Sequence, residues 1–297
     1  MKELFILDLK INPYTKNMIL EKIGNLLSSE TAEGKQLITI NPEFVIAAQT
    51  DTAFKNIINN SWLSLADGYG IRLAAKYLEL INNKHISNYI LRIANYFLVG
   101  LKVAWWGVTK NNKKIEVIPE LITGTDLIPE ICSMMNNESK IVNKKVFLLG
   151  GFGAVPCLTA EKLQAMVSLE TGNGASLQID HAPFEQQNII EKINLFSPTM
   201  LFVALNHPRA QKWIAENLTK MPSVKLAIGV GGAFDYLSGK TKRASSKWQN
   251  SFEWLFRLIR QPRRWKRIYS AAVLFPWRIF MSVLKKGGIN KHSIFRD

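Results

Sequence analysis

Short apolar segments alternate with helix-forming segments along most of the chain, and this alternation constrains the fold more than any other feature. Residues 36–41 (QLITIN) predict a buried strand, and the helix-forming segment PEFVIAAQTDTAFKNIIN follows at once. The succession recurs, with further predicted strands at 4–9, 62–68, 145–151, 176–181, 199–206 and 224–232. Strands that alternate with helices form parallel sheets covered on both faces. We therefore predict an α/β fold with a doubly wound, mostly parallel sheet.

The charge distribution divides the chain into regions. The formal net charge is +15, of which residues 240–297 contribute +13 and residues 79–118 contribute +4, leaving −2 for the rest. A nearly neutral globule with a basic tail is typical of a protein that docks on a polyanion, either nucleic acid or anionic lipid. We predict one domain over 1–244, interrupted by an apolar and basic insertion at about 79–118, and a basic C-terminal appendage over 245–297.

The insertion contains the apolar, aromatic segment ISNYILRIANYFLVGLKVAWWGV (86–108). Arg92 and Lys102 interrupt it, which makes it a poor membrane span. Two interpretations stay open. One is an interfacial helix or hairpin with Trp105 and Trp106 at the level of the lipid headgroups, and the other is an extra pair of core helices.

The tail from about residue 245 mixes Trp, Phe and Leu with Arg and Lys. An apolar helical face is predicted over 252–259, and Pro262 and Pro276 predict breaks in the helix. This composition favours an anchor on an anionic membrane surface. Zinc, helix-turn-helix and RNA-recognition signatures are missing from the sequence, so we expect no nucleic-acid partner.

The first residues do not resemble a signal peptide, because Asp8 and Lys10 interrupt their short apolar run. We expect a peripheral protein on the cytoplasmic face of the inner membrane. Cys132 and Cys157 and four scattered histidines predict reduced thiols and no metal cluster. The oligomeric state stays open, with a homo-oligomer among the alternatives.

Polar residues and glycines follow the predicted strands, where ligands of open α/β sheets bind. The segments are Thr39–Asn41, Asp67–Gly70, Thr123–Asp126, Gly150–Gly153, Asn206–Pro208 and Gly229–Asp235. Glycines at such turns let backbone N–H groups approach a phosphate. The spacing matches neither the dinucleotide fingerprint nor the P-loop, which favours a nucleotide-containing ligand bound in another way. An acidic pair placed to hold Mg²⁺ is also missing, so we expect metal-independent chemistry without a cofactor.

Asp67 is the strongest candidate for a general base, because it is a single carboxylate in a glycine turn after an apolar strand. The alternative is an Asx turn cap. Asp235, in the segment GGAFD, is a candidate for capping a helix or binding a ribose hydroxyl.

Several segments together resemble the WecG/TagA/CpsF bacterial glycosyltransferases, glycosyltransferase family 26. They are TINPEFVIAAQ (39–49), LADGYGI (65–71), TGTDL (123–127), VFLLGG (146–151), HPRAQKWI (207–214), IGVGGAFDYLSGKTKRAS (228–245) and EWLFRLIRQPRRWKRIY (253–269). Their order and spacing cover almost the whole chain except 79–118, and the GVGGxFDxxxG–RA–EWLxRL succession is highly specific.

The resemblance implies a Rossmann-like fold and an inverting, metal-independent transfer of an N-acetylmannosamine-type sugar. The donor is a UDP-sugar, the acceptor is undecaprenyl-diphosphate-linked N-acetylglucosamine, and the product primes teichoic acid or a similar surface glycan. It also implies that the catalytic base is Asp67 and the active-site threonine Thr39, with Asn41 beside it. The basic appendage is expected to cover the active site and attach the enzyme to the membrane, with Arg257, Arg264 and Arg267 reaching a diphosphate.

Backbone amides at Gly150, Gly151, Gly231 and Gly232, together with Gly124, Asp126 and Asp235, complete the predicted donor-binding set. The chain departs from the family pattern at Leu121, Ala210 and Gln211, where Arg, Gln and Glu are usual. These departures leave the donor open among N-acetylmannosamine, its uronic acid and another hexose. The alternative function is a non-enzymatic adaptor that binds a membrane or nucleic acid through the tail.

Overall fold

The computed structural model describes residues 3–30, 33–82, 86–109, 111–167, 177–180, 186–241, 265–285 and 295–296. Nine strands lie in these ranges: β1 (Glu3–Ile6), β2 (Leu9–Ile11), β3 (Lys35–Ile40), β4 (Leu63–Ala66), β5 (Val146–Gly150), β6 (Leu177–Asp180), β7 (Met200–Ala204), β8 (Leu226–Gly229) and β9 (Phe295–Arg296). Six of them form one sheet in the order β4-β3-β8-β7-β5-β6, and every neighbouring pair in it is parallel. The predicted doubly wound α/β fold is confirmed.

Helices cover both faces of this sheet. The described α-helices are α1 (Lys16–Ser28), α2 (Pro42–Ala48), α3 (Thr52–Asn60), α4 (Tyr69–Asn82), α5 (Tyr89–Val108), α6 (Gly124–Asn137), α7 (Val155–Val167), α8 (Gln186–Phe196), α9 (Arg209–Asn217), α10 (Ala233–Leu237) and α11 (Trp265–Lys285). Short 3₁₀ helices lie at Asn112–Ile115 and Leu218–Lys220.

Alternate residues of the central strands enter different cores. In β5, Val146 and Leu148 pack in a core with α1, α6, α7 and α10, whereas Phe147 and Leu149 pack on the opposite face with α8 and α9. On that second face, Ile38 and Ile40 of β3 join a core built with α2 to α5 and α11. Burial on both faces explains why the strands read as continuous apolar runs.

Two predicted elements are each divided in two. The predicted strand 4–9 is a hairpin, because Leu7 and Asp8 adopt φ of 49° and 62° and turn the chain between β1 and β2. The hairpin pairs with β9 in a separate antiparallel sheet. The helical segment after Asn41 is also divided, since the Asp51 side chain accepts a hydrogen bond from the Phe54 N–H and begins α3.

The last described helix, α11, is continuous through Pro276, so the predicted break there is wrong. A π-helical turn at Ser270–Leu274 precedes this proline and accommodates its missing N–H and its ring. Among the described helices, α11 is the one that is long and apolar enough to cross a membrane, by length and composition. Its residues Phe275, Ile279 and Val283 are buried in the core that contains α2 and α4. Pro262 and the domain boundary at 244/245 lie outside the described residues, and the boundary stays a prediction.

Replacement of Phe275 by Ala tests this packing. Phe275 is buried, and removal of its ring leaves a cavity between α11 and the core. We expect the free energy of unfolding, measured by urea denaturation, to fall by about 3–5 kcal/mol. Trp277→Ala on the exposed side of the same helix is the matched control, with an expected change of about 0.5 kcal/mol or less. Equal effects of the two substitutions would contradict the burial of α11.

Candidate active site

Thr39 and Asp67 lie at the carboxyl edge of two adjacent strands. In the parallel register of β3 and β4, Thr39 is opposite Leu65, and Asp67 follows two residues later. The Asp67 N–H donates to the carbonyl oxygen of Ile40 at 2.7 Å, which extends the strand pairing to this residue. Alternation along the strands assigns positions 39, 65 and 67 to one face of the sheet. Thr39 is buried and Asp67 is half-buried, so this pair is held at the rim of the core.

Asn41 has a structural task at the same edge. Its side-chain oxygen Oδ1 accepts a hydrogen bond from the Phe44 N–H at 3.1 Å and caps the N-terminus of α2. The cap fixes the direction in which the chain leaves β3.

The TGTD loop is tied to the end of β4. The Ile122 N–H donates to the Ala66 carbonyl oxygen at 2.9 Å, one residue before Asp67. The Thr123 hydroxyl accepts from the Asp126 N–H at 3.2 Å and donates to Asp126 Oδ2 at 2.8 Å. This reciprocal cap begins α6 with Gly124 buried and Asp126 exposed. Asp67 and the TGTD loop therefore lie at the same edge.

The glycine turns converge on this edge as well. Gly150 and Gly151 adopt φ of 91° and 96°, and a Cβ on Gly150 would lie 2.9 Å from the Ala204 carbonyl oxygen. Glycine is therefore required at position 150. Val230, after β8, donates its N–H to the Val203 carbonyl oxygen at 2.9 Å and lies 3.8 Å from the Cβ position of Gly124.

The glycines after Val230 lead into α10. Gly231 adopts φ of 53°, and Gly232 is the residue that caps α10. Asp235, half-buried in the first turn of α10, accepts a hydrogen bond from the Thr241 N–H through its backbone carbonyl oxygen at 3.0 Å. The loops that bear the site residues predicted between positions 1 and 244 thus lie along one edge of the sheet.

A cleft of about 400 Å³ opens at the carboxyl edge on the α2 side of the sheet. Its lining residues are Glu43, Ile46, Ala47, Asn206, His207, Lys266, Arg267 and Ser270. Of the predicted residues, Arg267 is in this lining, whereas Thr39 and Asp67 are not. The other two predicted arginines, Arg257 and Arg264, lie outside the described residues.

An ion pair joins α11 to α2 across this cleft. The Arg267 Nε donates to Glu43 Oε2 at 2.6 Å, over a sequence separation of 224 residues. The Glu43 side chain is 18% exposed, so the pair is partly shielded from solvent. The sequence does not single out Glu43, because an acidic residue in a first helical turn most often compensates the helix dipole. The pair positions the first turn of α11 above the end of β3.

His207 lies beside the same pair, with its Nε2 3.8 Å from Glu43 Oε2 and its ring stacked on Phe44 at 4.8 Å. Burial lowers the pKa of His207 below its usual 6.5, and the Arg267 charge lowers it further, while the Glu43 charge acts in the opposite direction. The imidazole is therefore neutral at pH 7.

Ala210 and Gln211, two of the residues at which the chain departs from the family pattern, do not line this cleft. Ala210 and Gln211 are buried on α9, where Gln211 accepts a hydrogen bond from the Gln36 side chain through its backbone carbonyl oxygen. Within the described ranges, no group of three or more His, Cys, Asp or Glu side chains is placed to hold a metal ion.

Comparison with known proteins identifies a family and several relatives. The model of the "Glycosyl transferase WecG/TagA/CpsF family" matches residues 4–111 and 100–288. A Bacillus subtilis protein is 28% identical over 261 residues, which are 86% of this chain and 79% of the relative. Relatives from Bacillus spizizenii and Staphylococcus aureus are 25% and 24% identical, over 80% and 89% of this chain and 76% and 85% of their own. All three are named N-acetylglucosaminyldiphosphoundecaprenol N-acetyl-beta-D-mannosaminyltransferase.

The lowered pKa of His207 predicts a pH dependence of stability. Below pH 6.5 the His207 side chain is protonated in the unfolded chain but stays neutral in the folded chain. The free energy of unfolding therefore decreases as the pH falls from 6.5 towards the folded-state pKa. We expect an NMR titration of the His207 ring to have its midpoint below 6.5. We also expect His207→Gln to reduce the loss of thermal stability between pH 7 and pH 5. A midpoint at or above 6.5 would contradict the expectation that burial outweighs the Glu43 charge at this ring.

Proposed function

This chain is a glycosyltransferase that belongs to the WecG/TagA/CpsF family, and we propose that it moves an N-acetylmannosamine-type sugar from UDP to a lipid-linked acceptor. The acceptor that we propose is N-acetylglucosamine on undecaprenyl diphosphate, the compound in the names of the relatives. The observation on which this proposal depends most is the convergence of Asp67, the TGTD loop and the glycine turns on one sheet edge.

The proposed reaction is a single displacement with inversion at the anomeric carbon. A hydroxyl oxygen of the acceptor sugar forms the new bond to that carbon as the bond to the UDP oxygen breaks. Asp67 accepts the hydroxyl proton, and UDP leaves with the electron pair of the broken bond. Thr39, on the adjacent strand, and Asn41, at the start of α2, position the reacting sugars.

Charge that develops on the leaving diphosphate needs donors in fixed positions. We propose backbone N–H groups in the turns at Gly150–Gly151 and Gly231–Gly232 for this role, because both turns follow strands at the carboxyl edge and contain glycines with positive φ. Gly124, Asp126 and Asp235 are proposed to contact the nucleotide from the TGTD loop and α10. These groups belong to the ends of strands and helices, so they need little reorganisation during the reaction.

Arg267 is the described member of the proposed arginine set. Its bond to Glu43 involves Nε, and a guanidinium presents five N–H donors in a planar fork suited to a diphosphate. Lys266 lines the same cleft and adds a second cation. Arg257 and Arg264 are proposed to approach from the preceding segment of the appendage.

We also propose that the enzyme is peripheral to the cytoplasmic face of the membrane, where a lipid-linked acceptor is available. The exposed side of α11 supports this location, because Trp265, Tyr269, Val273 and Trp277 recur on it at intervals of four residues. Cationic and aromatic side chains on one exposed helical face are typical of interfacial binding.

The proposed function is tested by incubation of the full chain with a panel of UDP-sugars and a short-chain polyprenyl-diphosphate N-acetylglucosamine acceptor, with and without a chelator. We expect transfer from UDP-N-acetylmannosamine, detected by mass spectrometry of the lipid product, and equal rates in chelator. Transfer from another UDP-hexose alone would reject the proposed donor. Absence of transfer from every UDP-sugar would reject the proposed reaction.

Replacement of Asp67 by Asn tests the proposed base. The amide cannot accept the acceptor proton, so turnover is expected to fall by roughly 10²-fold or more. Asp51→Asn is an isosteric control, because an Asn side chain can keep the cap on α3. Near-normal turnover of a folded Asp67→Asn enzyme would reject the base assignment.

Replacement of Arg267 by Gln tests the proposed diphosphate contact. Loss of a charge-assisted hydrogen bond is expected to weaken UDP binding about 10-fold, measured by calorimetry. Arg278→Gln is the matched control, since Arg278 is exposed on the same helix and does not line the cleft. Equal affinities of the two variants for UDP would contradict this role of Arg267.

A further inference from the structure

The helix α5 is attached to the rest of the molecule along one side. Tyr96, Val99, Val103 and Gly107 are buried at helical spacing and belong to the side that packs on α4. A Cβ on Gly107 would lie 3.1 Å from the Leu73 side chain, so the two helices approach closely there. The contact runs from the middle of α5 to its last turn and fixes which side faces outward.

The outward side of α5 is apolar. Half of the large hydrophobic residues that are exposed in the described part of the chain are on this one helix. They are Tyr89, Ile90, Leu91, Phe97, Leu98, Leu101, Trp105 and Val108. A contiguous apolar face of this extent marks an interaction surface rather than the scattered exposure that is normal for a soluble domain.

The charges within the segment that contains this face have a single sign. The sequence contains no Asp or Glu from Ile86 to Ile115, whereas it contains five Lys or Arg residues. The Nζ atoms of Lys102 and Lys114 lie 4.9 and 5.7 Å from the centre of the Trp106 ring, and the Arg92 guanidinium lies 5.4 Å from that of Tyr89. Cations paired with aromatic rings therefore lie near both ends of the helix.

We propose that the exposed face of α5 lies flat on an anionic phospholipid bilayer, as a docking surface separate from the C-terminal appendage. Apolar side chains would enter the boundary between headgroups and acyl chains, while the cations would contact lipid phosphates. A helix of 20 residues is about 30 Å long, so it provides a long line of contact. The side buried against α4 excludes a transmembrane orientation for α5 in this fold.

A second copy of the chain fits this surface less well. In a symmetric dimer built on α5, the cations of one copy would approach the same cations of the other, without acidic residues of this segment to pair with them. An anionic lipid surface matches both the apolar face and its charge.

Membrane docking of α5 goes beyond the proposed sugar transfer, although it would hold the enzyme near a lipid-linked acceptor. After α5 the chain passes through the 3₁₀ helix Asn112–Ile115 to Ile122, which bonds to Ala66 beside Asp67. Docking of α5 would therefore fix the orientation of the enzyme to the bilayer close in sequence to the proposed active site.

The test is sedimentation of the full chain with vesicles of phosphatidylglycerol and phosphatidylcholine. We expect Leu98→Glu/Leu101→Glu to reduce the partition coefficient at least ~10-fold, because two apolar contacts are lost and two negative charges are added to the face. Val142→Glu/Leu195→Glu is the matched control, since both residues are highly exposed, the charge change is equal, and they lie away from α5. Thermal unfolding of both variants verifies that they fold.

A second measurement locates the contact without altering the charge. A polarity-sensitive fluorophore on Leu101→Cys in a Cys157→Ser background, where the remaining Cys132 is buried, is expected to shift its emission to the blue on adding vesicles. Equal partition of the two double-glutamate variants, or no emission shift, would overturn the proposal. A dimer in solution that Leu98→Glu/Leu101→Glu dissociates without weakening vesicle binding would also overturn it, in favour of a second copy. Vesicle binding needs no sugar transfer, so failure of the proposed reaction leaves this test unaffected.

Discussion

Burial of a parallel sheet on both faces is the constraint on which the rest of this structure depends. Helices cover each face, and the strand interiors are apolar, so the strand ends are the places where the sheet can present polar groups to a ligand. Parallel pairing brings the carboxyl ends of β3, β4, β5, β7 and β8 to one edge. Thr39, Asp67 and the glycine turns lie along one edge of the sheet for this reason, although they are distributed over almost 200 residues of sequence.

The basic C-terminal helix joins this edge through a combination of packing and charge. Phe275, Ile279 and Val283 bury one side of α11 in the core, and the Arg267–Glu43 pair directs its first turn to the start of α2. The apolar contacts supply most of the attachment, because an ion pair with partly exposed partners contributes little net stability. The ion pair instead fixes the position of the Arg267 guanidinium above the cleft at the end of β3.

Both α5 and α11 have a buried apolar side and an exposed side rich in aromatic residues, and both pack on the core that includes α4. The buried sides explain why these two apolar segments belong to the globular fold. The exposed sides, together with the cations beside them, present the apolar and positively charged groups that would bind an anionic lipid surface. A transferase that uses a lipid-linked acceptor needs its active-site edge held near the bilayer, and two such helices would restrict its orientation more than one.

The order of residues predicts the alternation of strands and helices, and with it the parallel sheet and the edge that contains Thr39 and Asp67. Those features depend on local apolar runs and glycine turns that are visible in the order of residues. Three features depend instead on long-range packing: Leu7 and Asp8 form a turn, α11 continues through Pro276, and Glu43 contacts Arg267 from 224 residues away. Long-range packing also fixes which sides of α5 and α11 are exposed. These outcomes depend on which surfaces pack together, and periodicity within one segment does not specify its partner.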